Sequence, residues 1–200
     1  MNIVVFGANG PTGLEVCRQA LAAGYHITAA VRRPDEFQLK DKSLNVVKAN
    51  AVLSTLGTPY SHNEIRLYSV STKAIVEAMR ASDSCRRLVV VSSGLTGRNL
   101  PKVRGFIQRN VVVPILRNVI GRTVYEDMFR MENYLETCTN IEWTVIRPWR
   151  LISGSGVSNY RLAEDFTVGN FTTRPDLAAA MLAELGTNGH IHKKMALITG

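Results

Sequence analysis

The chain opens on a short apolar run, residues 2–6 (Asn-Ile-Val-Val-Phe), which meets glycine without a break: Gly7-Ala8-Asn9-Gly10-Pro11-Thr12-Gly13. A run of that length bounded by a turn signal suits a strand buried on both faces of a sheet. Behind the glycines, Leu14, Cys17, Ala20 and Leu21 recur at helical spacing, and Gly24 ends the pattern. A buried strand, a glycine loop and a helix thus follow one another within the first 24 residues, which commits the chain to strand–helix–strand units.

The rest keeps that alternation. Strands are expected over 26–31, 44–47, 52–56, 88–91, 141–146 (stopped by Pro148) and 195–198. A helix is expected over 64–79 with Ile65, Tyr68, Ile75 and Met79 in the core, and another carries Val124, Met128, Met131 and Leu135 on one face. Pro175 suits the first turn of a helix over 176–185. The expected fold is α/β with a mostly parallel sheet in one domain over residues 1–200. Length and composition agree, since 200 residues with 46% hydrophobic and 20% charged side chains are those of an ordinary globular domain. One place conflicts with it. Segments 44–47 and 52–56 are too close in sequence to be parallel neighbours, which need a crossover of a dozen or more residues. The spacing therefore predicts a missing crossover between the third and fourth strands near Asn50 and Ala51.

The glycines are spaced GxxGxxG, a variant of the dinucleotide fingerprint. Gly7 allows the tight turn, Gly10 lets the backbone approach a pyrophosphate, and Gly13 permits close helix–strand packing. The helix N-terminus then offers N–H groups and a positive dipole end to phosphate. An acidic residue closing the second strand would bind the ribose of NAD; this chain has Val31-Arg32-Arg33-Pro34 there. Guanidinium groups suit a 2′-phosphate, so NADP(H) is the expected cofactor, held in part by Arg32 and Arg33.

The net charge is +8, and all of the excess lies in one stretch. Residues 86–125 hold Arg86, Arg87, Arg98, Lys102, Arg104, Arg109, Arg117 and Arg122 and no acid. Such a field attracts an anionic ligand, a nucleic acid or an acidic membrane surface, or is a solvated basic face. It lacks the aromatic interleaving of a single-strand binder, so a nucleic acid is disfavoured. No apolar run reaches the roughly 18 residues of a membrane helix, and no membrane partner is expected. Cys17, Cys85 and Cys138 are odd in number and far apart, and the N-terminus has no secretory pattern, so a reducing, cytoplasmic setting is expected. His190 and His192 have no visible ligand companion, and no metal site is expected. Asp127 and Glu132, five apart on a helix, are expected on a solvated face.

GANGPTG, AAVRRP, VLSTLGT, VVVSSGLTG and TVIRPWRL together resemble the atypical short-chain dehydrogenase/reductases, in particular the NAD(P)H-binding group of NADPH-dependent flavin reductase, IXβ-type biliverdin reductase and NmrA-like proteins. The resemblance covers nearly the whole chain. It implies a doubly wound, Rossmann-like sheet, a phosphate loop of Gly7, Asn9, Gly10, Pro11, Thr12 and Gly13, and a 2′-phosphate clamp at Arg32, with Arg33 as a second candidate. It also implies an adenosine-side turn at Leu56, Gly57 and Thr58, a pair Ser92-Ser93 near the nicotinamide, and a nicotinamide border at Pro148 and Trp149. Two departures stand out. The Asp-containing turn and helix between the third and fourth strands are lacking in Lys48-Ala49-Asn50-Ala51. A histidine of the biliverdin reductase is replaced by Trp149, so a tetrapyrrole substrate is not carried over.

None of the six tyrosines has a lysine four residues later, so the Tyr-x-x-x-Lys chemistry of alcohol dehydrogenation is disfavoured. Ser92-Ser93-Gly94 is no G-x-S-x-G elbow, which disfavours a hydrolase. What remains is hydride delivery from NADPH to a flavin-like, quinone-like or other conjugated acceptor. Ser93 is the candidate catalytic residue, either bonding the carboxamide or substrate or capping a backbone group, and Trp149 either stacks on a planar substrate or is core. The basic stretch is expected to draw an anionic or planar small molecule. A non-catalytic NADP sensor of the NmrA-like type, and a truncated relative without cofactor binding, are the alternatives.

Overall fold

The structure is a computed structural model, and it describes residues 1–30, 49–81, 85–96, 107–164 and 169–200, without the side chains of Gln108 and Arg109. Its centre is a seven-stranded sheet with strands in the order β2-β1-β3-β4-β5-β9-β7. These are β1 (Asn2–Phe6), β2 (His26–Ala30), β3 (Ala51–Ser54), β4 (Arg87–Val91), β5 (Glu142–Pro148), β7 (Tyr160–Ala163) and β9 (Lys193–Thr199). Six run parallel, and only β7 at the edge is antiparallel, against β9. Two-residue strands β6 (Leu151–Ile152) and β8 (Thr172–Thr173) pair separately at the carboxyl edge.

Helices cover both faces. On one, α1 (Pro11–Ala22) packs beside α5 (Arg174–Ala183) over a core that includes Ile3, Val5, Val16, Leu53, Val89, Leu177 and Leu197. On the other, α2 (Leu67–Arg80) packs beside α4 (Arg122–Glu136) over Val52, Leu88, Val90, Trp143 and Val145. The four core positions expected on the second helix and the four expected on the α4 face are all buried. On α1 the buried set is Gly13, Val16, Cys17 and Ala20, while Leu14 and Leu21 are half-buried. Gly13 presses the start of the helix onto the strand and turns the buried face toward Val16.

The expected strand over 44–47 lies outside the described residues. The described strand preceding β3 is β2, on the opposite side of β1, and residues 31–50 link the two. That length suffices for a parallel crossover. Asn50 already lies beside the sheet, its N–H donating to the Asn2 carbonyl at 2.9 Å and its Oδ1 accepting from the Asn2 N–H at 3.1 Å.

Three buried carboxylates tie elements together. Asp127 and Glu132 are both 0% exposed, which corrects the expectation of a solvated face. Asp127 Oδ2 accepts from the N–H groups of Tyr68 (2.8 Å) and Ser69 (3.4 Å), and the Ser69 hydroxyl donates to Oδ1. A side chain of α4 thus caps the first turn of α2, whose own N-cap, Arg66, provides no side-chain bond. Helical spacing missed this because the partners are 58 and 59 residues away. At α5 the cap is local, and Asp176 ties the helix start to its neighbours. Its N–H donates to the N-cap Thr173 Oγ1 at 3.2 Å, and its carboxylate accepts from the Thr173 and Thr199 hydroxyls and from Ser158 N–H at 2.6 Å and Oγ at 2.9 Å.

Burial alone would raise the Asp176 pKa, but the bonds from Thr199, Ser158 and Thr173 outweigh it, and the carboxyl sits below its ordinary value. A depressed folded pKa gives stability that is complete above the unfolded value, near pH 4, and is lost as the pH falls through the folded value. Asp176→Asn is expected to cost about 1–2 kcal/mol at pH 7. In urea titrations the gap to the parent should narrow as the pH falls below the ordinary carboxyl value.

Candidate dinucleotide site

The glycine loop lies where the sequence places it, between the end of β1 and the first turn of α1. Gly7 has φ +79°, and a Cβ there would stand 2.8 Å from the Thr55 carbonyl oxygen. A Cβ on Gly13 would stand 2.1 Å from the Gly7 oxygen and 2.7 Å from Ala8 Cα. Both positions therefore exclude any side chain. Gly10 is the N-cap, its N–H bonded to the Gly7 carbonyl at 2.9 Å. It offers no side-chain cap, and the first turn of α1 contains no acid. The amides that begin the helix are left with a positive dipole end and no carboxylate to neutralise it, as an anion site requires.

These amides border a cavity of about 900 Å³ at the carboxyl ends of β1, β3 and β4. That size is within the range of small-molecule and cofactor sites. The chain leaves β1 toward β2 on one side and returns as β3 on the other, so the cavity lies at the switch point where such sheets bind ligands. Its walls include Gly7, Asn9, Gly10, Pro11 and Thr12 from the loop, Leu56 and Gly57 after β3, and Ser92 after β4. The structure thus brings together eight of the residues singled out from the sequence.

The others fall differently. Gly13 is buried beneath the loop and serves packing. Thr58 is beside the cavity, its N–H donating to Tyr68 Oη at 3.3 Å. Ser93 Oγ accepts the Leu95 N–H at 3.2 Å, and Ser93 is not among the wall residues. Pro148 is the buried last residue of β5, its carbonyl accepting from Gly94 N–H at 2.9 Å. Trp149 is half-buried against the α2/α4 core, its N–H donating to Thr172 Oγ1 at 3.1 Å. Arg32 and Arg33 lie outside the described residues, as do Arg98, Lys102 and Arg104.

Sequence reading missed two parts of the wall. One is the flank of α2, where Leu67, Tyr68, Ser71, Ala74, Ile75 and Ala78 face the cavity. The other is Leu151 with Arg174, the first residue of α5. Arg174 is half-buried and has no carboxylate partner among the described residues. A signal was present: Thr173-Arg174-Pro175 puts a cation at a helix start, where the dipole disfavours it.

Ser92 is held from behind. Its hydroxyl donates to Glu132 Oε1 at 2.6 Å, and Thr96 Oγ1 donates to the same oxygen at 2.8 Å. The Arg147 Nε donates to it at 3.1 Å, a second Arg147 nitrogen pairs with Glu132 Oε2, and Lys194 Nζ is 3.7 Å away. The buried charge is therefore paired and bonded, which is what makes its burial tolerable. No tuned proton donor faces the cavity among the described residues. Burial pushes the Tyr68 phenol up, against the smaller opposing effect of the Thr58 N–H. Burial and then the 2.8 Å bond to Tyr60 push Tyr125 up as well. At the histidine pair, His190 Nδ1 is 2.7 Å from Glu184, a carboxylate companion that the sequence did not reveal, and His192 Nε2 is 2.8 Å from the Ile141 carbonyl. No group of metal-binding side chains occurs among the described residues.

A parallel sheet with a glycine-cradled, uncapped helix start at its switch point defines a nucleotide-binding α/β domain. The NAD(P)H-binding family model matches residues 7–188, so the chain belongs to that family. Solved structures with the same fold include a protein from Lactobacillus casei, 19% identical with TM-score 0.80, each chain covered fully. A proposed NADH-flavin reductase from Streptococcus pneumoniae TIGR4 is 21% identical with TM-score 0.76, again over the whole of both chains. A wide-type short-chain dehydrogenase/reductase from Veillonella parvula, solved with NADP, is 14% identical with TM-score 0.74 over 99% of this chain and 94% of that one.

Removing Glu132 leaves Arg147 without its carboxylate and the Ser92 hydroxyl without its 2.6 Å acceptor. Glu132→Ala is expected to lower stability by about 3–5 kcal/mol in urea unfolding. The Glu132→Leu, Arg147→Met double variant should recover part of that, since it leaves neither of the paired charges unpartnered.

Proposed function

We propose that the protein is an NADPH-dependent reductase that passes hydride to a flavin-like, quinone-like or other conjugated acceptor. The observation that carries this reading is the cavity itself, which runs from the uncapped start of α1 past Leu56 and Gly57 to Ser92 and Leu151. A bound reduced nicotinamide would supply the hydride, and with one proton from solvent the acceptor gains two electrons. The protein's own share is binding and orientation. First-turn amides of α1 hold the diphosphate, Arg174 adds a cation on the same wall, and the glycines admit close backbone approach. Arg32 and Arg33 favour NADPH over NADH through the 2′-phosphate.

The acceptor class follows from what the wall lacks. The nearest phenol, Tyr68, has a raised pKa and accepts a bond from Thr58, so it is a poor proton donor. Conjugated rings that take hydride and pick up a proton from water need no such donor. The same lack fits the alternative of an NADP-binding sensor without turnover.

Titrating protein fluorescence with NADPH is expected to give saturable micromolar binding. Gly10→Val should abolish it, and Arg174→Ala should weaken it about 10–100-fold by removing a charge-assisted contact. Mixing NADPH with a panel of flavins and quinones should give acceptor-dependent oxidation. Binding without oxidation of any acceptor would overturn the reductase and leave the sensor; no binding would remove both.

A further inference from the structure

Between β4 and α4 the described chain coils without a strand: Gln108–Val112 and Leu116–Ile120 are π-helical turns joined by α3 (Val113–Ile115). One side of the coil is anchored, with Val113 buried and Leu116 packed on the α2/α4 core. The other side is not. Ile107, Val111, Ile115 and Val119 recur every four residues, with Val112 and Ile120 beside them, and each of the six is between 42% and 69% exposed. These are six of the eleven large hydrophobics exposed among the described residues, gathered in 14 positions. An apolar strip of this kind on a surface helix marks an interaction site.

We propose that this coil is a membrane-surface contact that seats its aliphatic stripe at the interface of an anionic phospholipid bilayer. Charge chooses the occupant. The coil carries Arg109 and Arg117, Arg122 follows at the start of α4, and no Asp or Glu occurs from Ser84 to Tyr125. Arg122 pairs with Glu126, but the coil itself holds no acid, and aliphatic residues on one side with cations beside them are the pattern of a helix lying in a lipid headgroup layer. A second copy meeting the same face would set these cations against their like. A protein partner that uses such a face commonly finds aromatic anchors, and the stripe holds only valine and isoleucine. The contact lies on the membrane rather than across it, since no described helix is long and apolar enough to span one. This departs from the expectation that no membrane partner exists, which rested on the want of a spanning segment.

The test is flotation of the full chain with vesicles of phosphatidylcholine containing about one-third phosphatidylserine, against phosphatidylcholine alone. Binding at least tenfold stronger to the anionic vesicles is expected, weakening as salt is raised. Ile115→Glu with Val119→Glu should reduce it at least tenfold, and Arg117→Glu about fivefold or more. All three positions lie at the surface or its margin, and unchanged thermal unfolding and NADPH titration would show that the variants fold. No binding to the anionic vesicles at low salt overturns the proposal. So does equal binding by the Ile115→Glu, Val119→Glu chain, which would make the attraction bare electrostatics. A parent dimer in light scattering that the same double variant dissociates would likewise overturn it and assign the stripe to a second copy.

Discussion

Gly13 comes so close to the backbone of Gly7 and Ala8 that no side chain fits between them, and Gly7 comes equally close to Thr55 after β3. These two approaches fix the angle at which α1 leaves the sheet. They also bring the turns after β1 and β3 together at one edge. The cavity is the space those turns enclose, so its position follows from backbone packing before any side chain is chosen. That is why substitution at Gly7 or Gly13 would disturb the fold, whereas Gly10 faces the space to be filled by a ligand.

Around that hinge the structure spends its buried charge on joints between elements rather than on the cavity. Asp127 ties α4 to the start of α2, Asp176 ties α5 to Ser158 and Thr199, and Glu132 ties α4 to β5 and to the turn after β4. Each carboxylate meets donors that would otherwise be buried without acceptors. The cavity wall keeps the opposite condition, a bare helix start with a cation nearby. The contrast gives the site its electrostatic character: negative charge is consumed at the joints, and the start of α1 is left positive.

The sequence was legible where the cause is local. The glycine spacing, the apolar strands and the buried faces of α2 and α4 all depend on neighbours a few residues away, and the structure places them as expected. It was illegible where the cause is tertiary. Asp127 and Glu132 read as solvent-facing because their partners are 58 or 59 residues away for the one, and 15, 36 and 40 for the other. Arg174 was passed over because its role depends on β6 and the glycine loop converging on the start of α5. The clash expected near Asn50 involves 44–47, which lies outside the described residues; the described strand before β3 is β2, across β1.

Charge distribution links the cavity to the surface. Outside residues 86–125 the chain is neutral, with sixteen basic and sixteen acidic residues, so its acids are available to pair locally. Arg87 is no exception within the basic stretch, because it is buried against Glu184 from a distant segment. Beyond it, the described cations of that stretch have few acids to meet, and Arg122 takes the first one available, Glu126. A chain selected only for solubility has no reason to set Arg117 and Arg122 next to an exposed aliphatic stripe. Placing the two together makes sense for a surface that must be attractive to something both anionic and apolar.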